Sequence, residues 1–127
     1  MNKIIVVITI AFSARKKRKL FADEAVREEF ARLTKEGLAE KGINVSDLRY
    51  FDDHPEAVAV TVDAPMGMEP RQVFNLIKSV SKKELCEKFF PYAETLWTRN
   101  YWCCQGTPTE DEEHEMLSFI ALQRGRN

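Results

Sequence analysis

Pro55-Glu56-Ala57-Val58-Ala59-Val60-Thr61-Val62 alternates valine with small or polar residues. A strand sends successive side chains to opposite faces, so Val58, Val60 and Val62 bury on one side while Ala57, Ala59 and Thr61 share the other. Upstream, Ile43 to Phe51 reads as a second strand, and Asp52-Asp53-His54-Pro55 between the two has the Asp and Pro content of a turn. The pair is therefore expected to be a hairpin.

Working outward, the β-branched run Ile4-Ile5-Val6-Val7-Ile8-Thr9-Ile10 reads as a buried strand. With Lys3 before it and Ser13-Ala14 after it, the run also has the outline of a signal peptide, but the basic residues that follow disfavour export. It is too short to span a bilayer as a helix, and no membrane association is expected. Phe21 to Lys41 places Ala22, Ala25, Val26, Phe30, Leu33 and Leu38 at helical spacing and stops at Gly42. A second helix begins near Arg71, turns Val73, Leu76, Ile77 and Val80 inward and ends before Phe89-Phe90-Pro91. Leu96 to Gln105, rich in aromatics, is the expected fourth strand. Gly106-Thr107-Pro108 breaks the chain, and Thr109 with Glu112 forms a capping box for a last helix with an acidic start. The order β-α-β-β-α-β followed by a helix predicts an α+β, ferredoxin-like sandwich with a C-terminal helix.

A chain of 127 residues, 44% hydrophobic and 31% charged, supports one compact domain over 1–127. Its net charge of -1 conceals an asymmetry: Arg15-Lys16-Lys17-Arg18-Lys19 stands near one end and Glu110-Asp111-Glu112-Glu113-His114-Glu115 near the other. Local rather than total charge therefore bears on nucleic-acid binding. The three cysteines, Cys86, Cys103 and Cys104, lack metal-ligand spacing and read as reduced, packed thiols of a cytoplasmic protein. There is no Gly-rich phosphate loop, Ser/His/Asp set or Cys/His pair.

Several segments together resemble the single-tyrosine HUH transposases, bacterial insertion-sequence enzymes that cut single-stranded DNA. Pro55 to Val62 is similar to the family's Pro-Asp-His-x-His-apolar-apolar-Val, and Phe119-Ile120-Ala121-Leu122-Gln123 to its Tyr-Ile-x-x-Gln. The basic run at Arg15 to Leu20 resembles its Thr-Lys-Tyr-Arg-Arg segment, here longer and without the tyrosine. Lys78 to Leu85 is similar to its Lys-Gly-x-Ser-Ser-basic-x-Leu helix, and Leu96 to Trp102 to its Leu-Trp-x-x-x-aromatic strand.

In that family the two histidines and the glutamine hold a divalent metal and the tyrosine attacks a DNA phosphate. Here Ala57, Ala59 and Phe119 stand at three of those positions and Gln123 at the fourth. Phenylalanine has no nucleophilic oxygen and alanine no lone pair, and one amide carbonyl does not hold a metal alone. The resemblance therefore implies a domesticated or decayed relative: no catalytic residues, no metal or other cofactor, not an enzyme. Gln123 is read as a remnant and Phe119 as an added core contact. His54 and His114 are read as solvated, and Tyr50, Tyr92 and Tyr101 as packed aromatics.

What remains is binding. Arg15, Lys16, Lys17, Arg18 and Lys19, with the stripe Arg71, Asn75, Lys78 and Lys82 on the second helix, are the expected contacts to single-stranded or hairpin DNA. The resemblance further implies a homodimer, with Tyr101 to Gln105 as the candidate edge. The competing expectations are a ferredoxin-like structural or oligomerisation module without nucleic-acid binding, and an active nuclease with displaced ligands.

Overall fold

The computed structural model describes residues 4–91, 93 and 95–122, and of Lys17 the backbone alone. The hairpin read from the sequence is present as β2 (Asn44–Phe51) and β3 (His54–Pro65), with Phe51 opposite His54 across a two-residue turn. Before it come β1 (Ile5–Ser13) and α1 (Glu24–Ala39), and after it α2 (Pro70–Phe89), β4 (Trp102–Gln105) and α3 (Glu110–Leu122). The sheet order is β2-β3-β1-β4 with every described pairing antiparallel, as the α+β expectation requires.

Helix limits follow their caps. Asp23 accepts a hydrogen bond from the Ala25 amide and starts α1, so Phe21 falls outside it, in a short 3-10 turn over Leu20–Ala22. Pro70 opens α2 behind a reciprocal Glu69–Gln72 box, and Thr109 and Glu112 cap α3 at 3.0 and 3.2 Å.

The expected fourth strand is shorter than its sequence suggests. Trp102 lies opposite Ala11 and Trp97 opposite Ala14. Between those pairs β1 advances three residues (11 to 14) while the other chain takes five (102 to 97), so two residues must leave the ladder. Arg99 and Asn100, both exposed, form that excursion.

β1 is interior to the sheet and its two faces differ in size. Ile8, Ile10 and Phe12 face α1 and α2, whereas Ala11 lies under α3 with Ala57 and Ala59. Phe12 centres an aromatic cluster, with ring centroids 5.1 Å from Trp97, 5.2 Å from Phe74 and 6.4 Å from Phe30. The buried indole N–H of Trp97 donates to Ser81 Oγ at 3.1 Å, and Ser81 donates in turn to the Ile77 carbonyl at 2.6 Å. The polar atom of the largest core ring is thus satisfied.

The two helices on this face meet closely at Gly37, where an added Cβ would stand 2.6 Å from Val80 Cβ. An ion-pair network centred on the mostly buried Glu29 bridges them as well. Glu29 accepts from Arg32 Nε at 2.7 Å and from Lys88 Nζ at 2.6 Å, and Arg32 also reaches Glu36 and Glu84. The Arg32 and Lys88 hydrogen bonds hold the Glu29 carboxyl down at about 2.

Two outcomes are expected. Gly37→Ala lowers the thermal midpoint, although alanine is favoured over glycine by about 1 kcal/mol within a helix, because the clash falls on Val80's own Cβ and α1 must shift. For Glu29, whose folded pKa lies below its ordinary value of 4.5, the stabilising contribution is complete above that value and disappears as pH falls toward about 2. Urea unfolding should therefore show a stability gap between the wild type and Glu29→Gln at pH 7 that narrows at pH 3.

Candidate functional site

The face of the sheet opposite α1 and α2 carries the positions singled out by sequence. Ser13 pairs with Ala57 and Ala11 with Ala59, so β1 and β3 build a floor of small side chains. α3 lies over this floor with Met116 and Ile120 fully buried, and Phe51 closes it on the β2 side. Ala57 and Ala59 are 0% and 4% exposed, so this face is a second, small apolar core.

The floor and α3 require each other sterically. Methyl groups allow the helix to lie close, and larger side chains at 57 and 59 would need the space that Met116 and Ile120 occupy. Phe119 is on the same helix, half-buried beside Trp102, and packs against the rim of this core. Gln123 lies outside the described residues. The divalent metal implied by the resemblance does not fit here: Ala57 and Ala59 offer no donor atom, and no group of three His, Cys, Asp or Glu suited to a metal occurs among the described residues.

The described tyrosines are elsewhere. Tyr50 and Tyr101 pack on the α1/α2 side of the sheet. Tyr50 donates to the Arg27 carbonyl at 2.9 Å, and burial pushes its phenol up to about 12, while Tyr101 packs on Phe74 at 4.6 Å. Tyr92 lies outside the described residues. His114 is exposed as expected, but His54 is not simply solvated: its Nδ1 is 3.6 Å from a carboxylate oxygen of the mostly buried Glu56. Their i, i+2 spacing on β3 sets the two side chains on one face.

The basic segment divides into two roles. Arg15 Nη1 donates to Thr95 Oγ1 and Arg18 Nη1 to the Thr95 carbonyl, both at 2.9 Å. Backbone bonds from Arg15 N to the Leu96 carbonyl (2.8 Å) and from Thr98 N to the Ser13 carbonyl (3.0 Å) join the same two stretches. Arg15 and Arg18 thus hold the 95–98 stretch against the end of β1. Lys16, in the left-handed region at φ 59°, and Lys19 are exposed.

On α2, Arg71, Asn75 and Lys82 are exposed, and Lys78 is half-buried with Nζ 4.7 Å from the centre of the Phe74 ring. Burial, with the Lys82 charge, lowers the Lys78 ammonium's pKa. Lys82 and Lys83 line a shallow depression with Ala93, next to the stretch that Arg15 and Arg18 hold. Arg71 is eleven residues before Lys82 on the helix, roughly 16 Å away along its axis, in the first turn of α2. Thr95 is the part of this surface that sequence reading missed, because nothing local marks a threonine that receives two arginines from 80 and 77 residues away.

A four-strand antiparallel sheet with two helices on one face and one on the other defines a ferredoxin-like α+β domain. The model of the IS200-like transposases matches residues 5–120, and this chain belongs to that family. Among solved structures, a candidate transposase from Deinococcus radiodurans R1 is similar at a TM-score of 0.78 and 14% identity, over 97% of this chain and 94% of that one. A REP-associated tyrosine transposase bound to a REP hairpin is similar at a TM-score of 0.59 and 13% identity, over 91% of this chain and 66% of that one. Nothing among curated proteins matches. The expectation that the chain is not an enzyme is corrected by these findings, since the family it belongs to is one of transposases.

Replacing Arg15 and Arg18 with methionine should lower folding stability by about 1 kcal/mol or more, because two charge-assisted bonds to Thr95 disappear, whereas Lys16→Ala and Lys19→Ala should leave it within about 0.5 kcal/mol. Chemical denaturation of the two double variants distinguishes these roles.

Proposed function

We propose that this chain, acting as one transposase-like domain over 1–127, serves DNA transposition by binding single-stranded or hairpin DNA. The observation that carries the reading is the pairing of a transposase-family domain with exposed lysines, Lys16 and Lys19 in the basic segment and Lys82 on α2 beside Ala93. Such charges neutralise phosphates without reading bases, and the known hairpin-bound relative favours a structured strand as the partner.

Twofold pairing is part of the same proposal. β4 is at the edge of the sheet, pairs only with β1 among the described residues and carries an exposed Cys103, and edge-to-edge pairing would cover it. No helix among the described residues is long and apolar enough to cross a membrane. DNA as the partner favours a cytoplasmic site of action.

Fluorescence anisotropy with hairpin, single-stranded and duplex oligonucleotides tests the reading. Affinity should fall linearly in log–log form with salt, and each of Lys16→Ala, Lys19→Ala and Lys82→Ala should reduce the slope by roughly 0.7–0.9, the amount that one neutralised phosphate supplies. Absence of binding at low salt would sink the proposal. Light scattering should give twice the 14.7 kDa chain mass, and a monomer at micromolar concentration would remove the pairing.

A further inference from the structure

The two edges of the sheet differ in how they meet a further strand. β2, at one edge, carries a bulge, since Val45 pairs with Val62 and Asp47 with Thr61 and Ser46 is an extra residue, and it exposes the charges of Asp47 and Arg49. Bulges and charged side chains keep an open edge from accepting another chain. β4, at the other edge, has neither: its register with β1 is regular, and Tyr101-Trp102-Cys103-Cys104-Gln105 holds no charge and no proline. Apolar surface flanks it on both faces. Val6, Met68 and Pro70 form a groove of about 260 Å³ with Cys103 and Gln105 on one face, and Trp102 meets Phe119 and the exposed Leu122 on the other.

Main-chain directions decide how a strand joins this edge. The Gly106 amide donates to the Val7 carbonyl at 2.7 Å, one step beyond the Ile8–Gln105 pair and in the same register. Residues of an antiparallel strand turn their N–H and C=O groups alternately to either side, so Trp102 and Cys104 face β1 as Gly106 does, and Tyr101, Cys103 and Gln105 face outward. The Arg99–Asn100 excursion ends this run on one side and Gly106, at φ 75°, on the other. Its centre is Cys103.

A twofold axis between two antiparallel strands sets one residue opposite itself, because opposite residues share a face and adjacent ones do not. An axis at Cys103 pairs all three outward-facing residues of one copy with those of the other. An axis at Cys104 leaves Tyr101 unpaired. We propose that β4 joins β4 of a second copy with Cys103 opposite Cys103 of the partner subunit, Tyr101 beside the partner's Gln105 on one face and Trp102 beside the partner's Cys104 on the other. The Tyr101 ring, held against Phe74 at 4.6 Å, then borders the apolar groove that the partner's Gln105 lines, and no like charges meet within the paired strands. This inference rests on the twofold pairing proposed above and assigns its register.

The test uses full-length variants that keep one edge thiol, Cys86→Ser/Cys104→Ser and Cys86→Ser/Cys103→Ser, each oxidised with diamide at micromolar concentration and run on a non-reducing gel. Opposite residues of an antiparallel pair have Cα atoms about 4.5–5.5 Å apart, within disulfide reach, whereas the two Cys104 residues stand about 7–8 Å apart, beyond it. The Cys103 variant is expected to give a band at twice the 14.7 kDa chain mass, and the Cys104 variant is not. Because Cys103 is also the more exposed thiol, a second test places charge on the axis. Cys103→Lys and Cys103→Asp should each weaken self-association about tenfold in sedimentation equilibrium, and mixing the two should restore the dimer, a rescue that misfolded chains could not give. A wild type that stays monomeric would remove the pairing and the register together. A dimer that links better through Cys104, or one that Cys103→Lys leaves intact, would overturn the register alone.

Discussion

The structure depends on β1 burying both of its faces at once. From Ile8 to Ser13 every residue of β1 is buried, so its alternating residues must each match a different layer. On one side Phe12 meets Phe30, Phe74 and Trp97, and that cluster fixes where α1, α2 and the 95–98 stretch lie. On the other side Ala11 offers only a methyl group, and the close seat of α3 follows from it and from Ala57 and Ala59.

That difference in size shapes the functional surface. The small face holds a helix through two fully buried residues, Met116 and Ile120, with the Arg49–Glu113 pair beside them. The large face extends past the end of β1 into the basic segment, where Arg15 and Arg18 are spent on holding a neighbouring stretch and Lys16 and Lys19 are left to solvent. Positive charge near a strand end thus serves two purposes: guanidinium groups make directed bonds to Thr95, and ammonium groups remain as hydrated point charges.

Much of the fold was legible because it rests on local periodicity. The alternation from Ala57 to Val62, the helical spacing from Val26 to Leu38, and the Thr109–Glu112 box each describe a chemistry complete within a few residues. The length of β4 was not legible: its aromatic run continues back to Leu96, and only the competing advance of β1 forces Arg99 and Asn100 out of the ladder. The bulge at Ser46 left a trace, since core residues Val45 and Leu48 are three apart where an unbroken strand would space them by two.

For the site, the sequence by itself determined which chemical groups stand at Ala57, Ala59 and Phe119, and that the two alanines share a strand face, because side-chain identity and period-two geometry need no distant partner. It also determined enough of the family's pattern for the transposase relationship to be read. Only the tertiary structure decided that Met116 and Ile120 cover those alanines, that Phe119 stands at the rim, and that two of the basic side chains are committed to Thr95. Each of these depends on residues tens of positions apart in the chain, and the register and packing that bring them together exist only once both faces of β1 are covered.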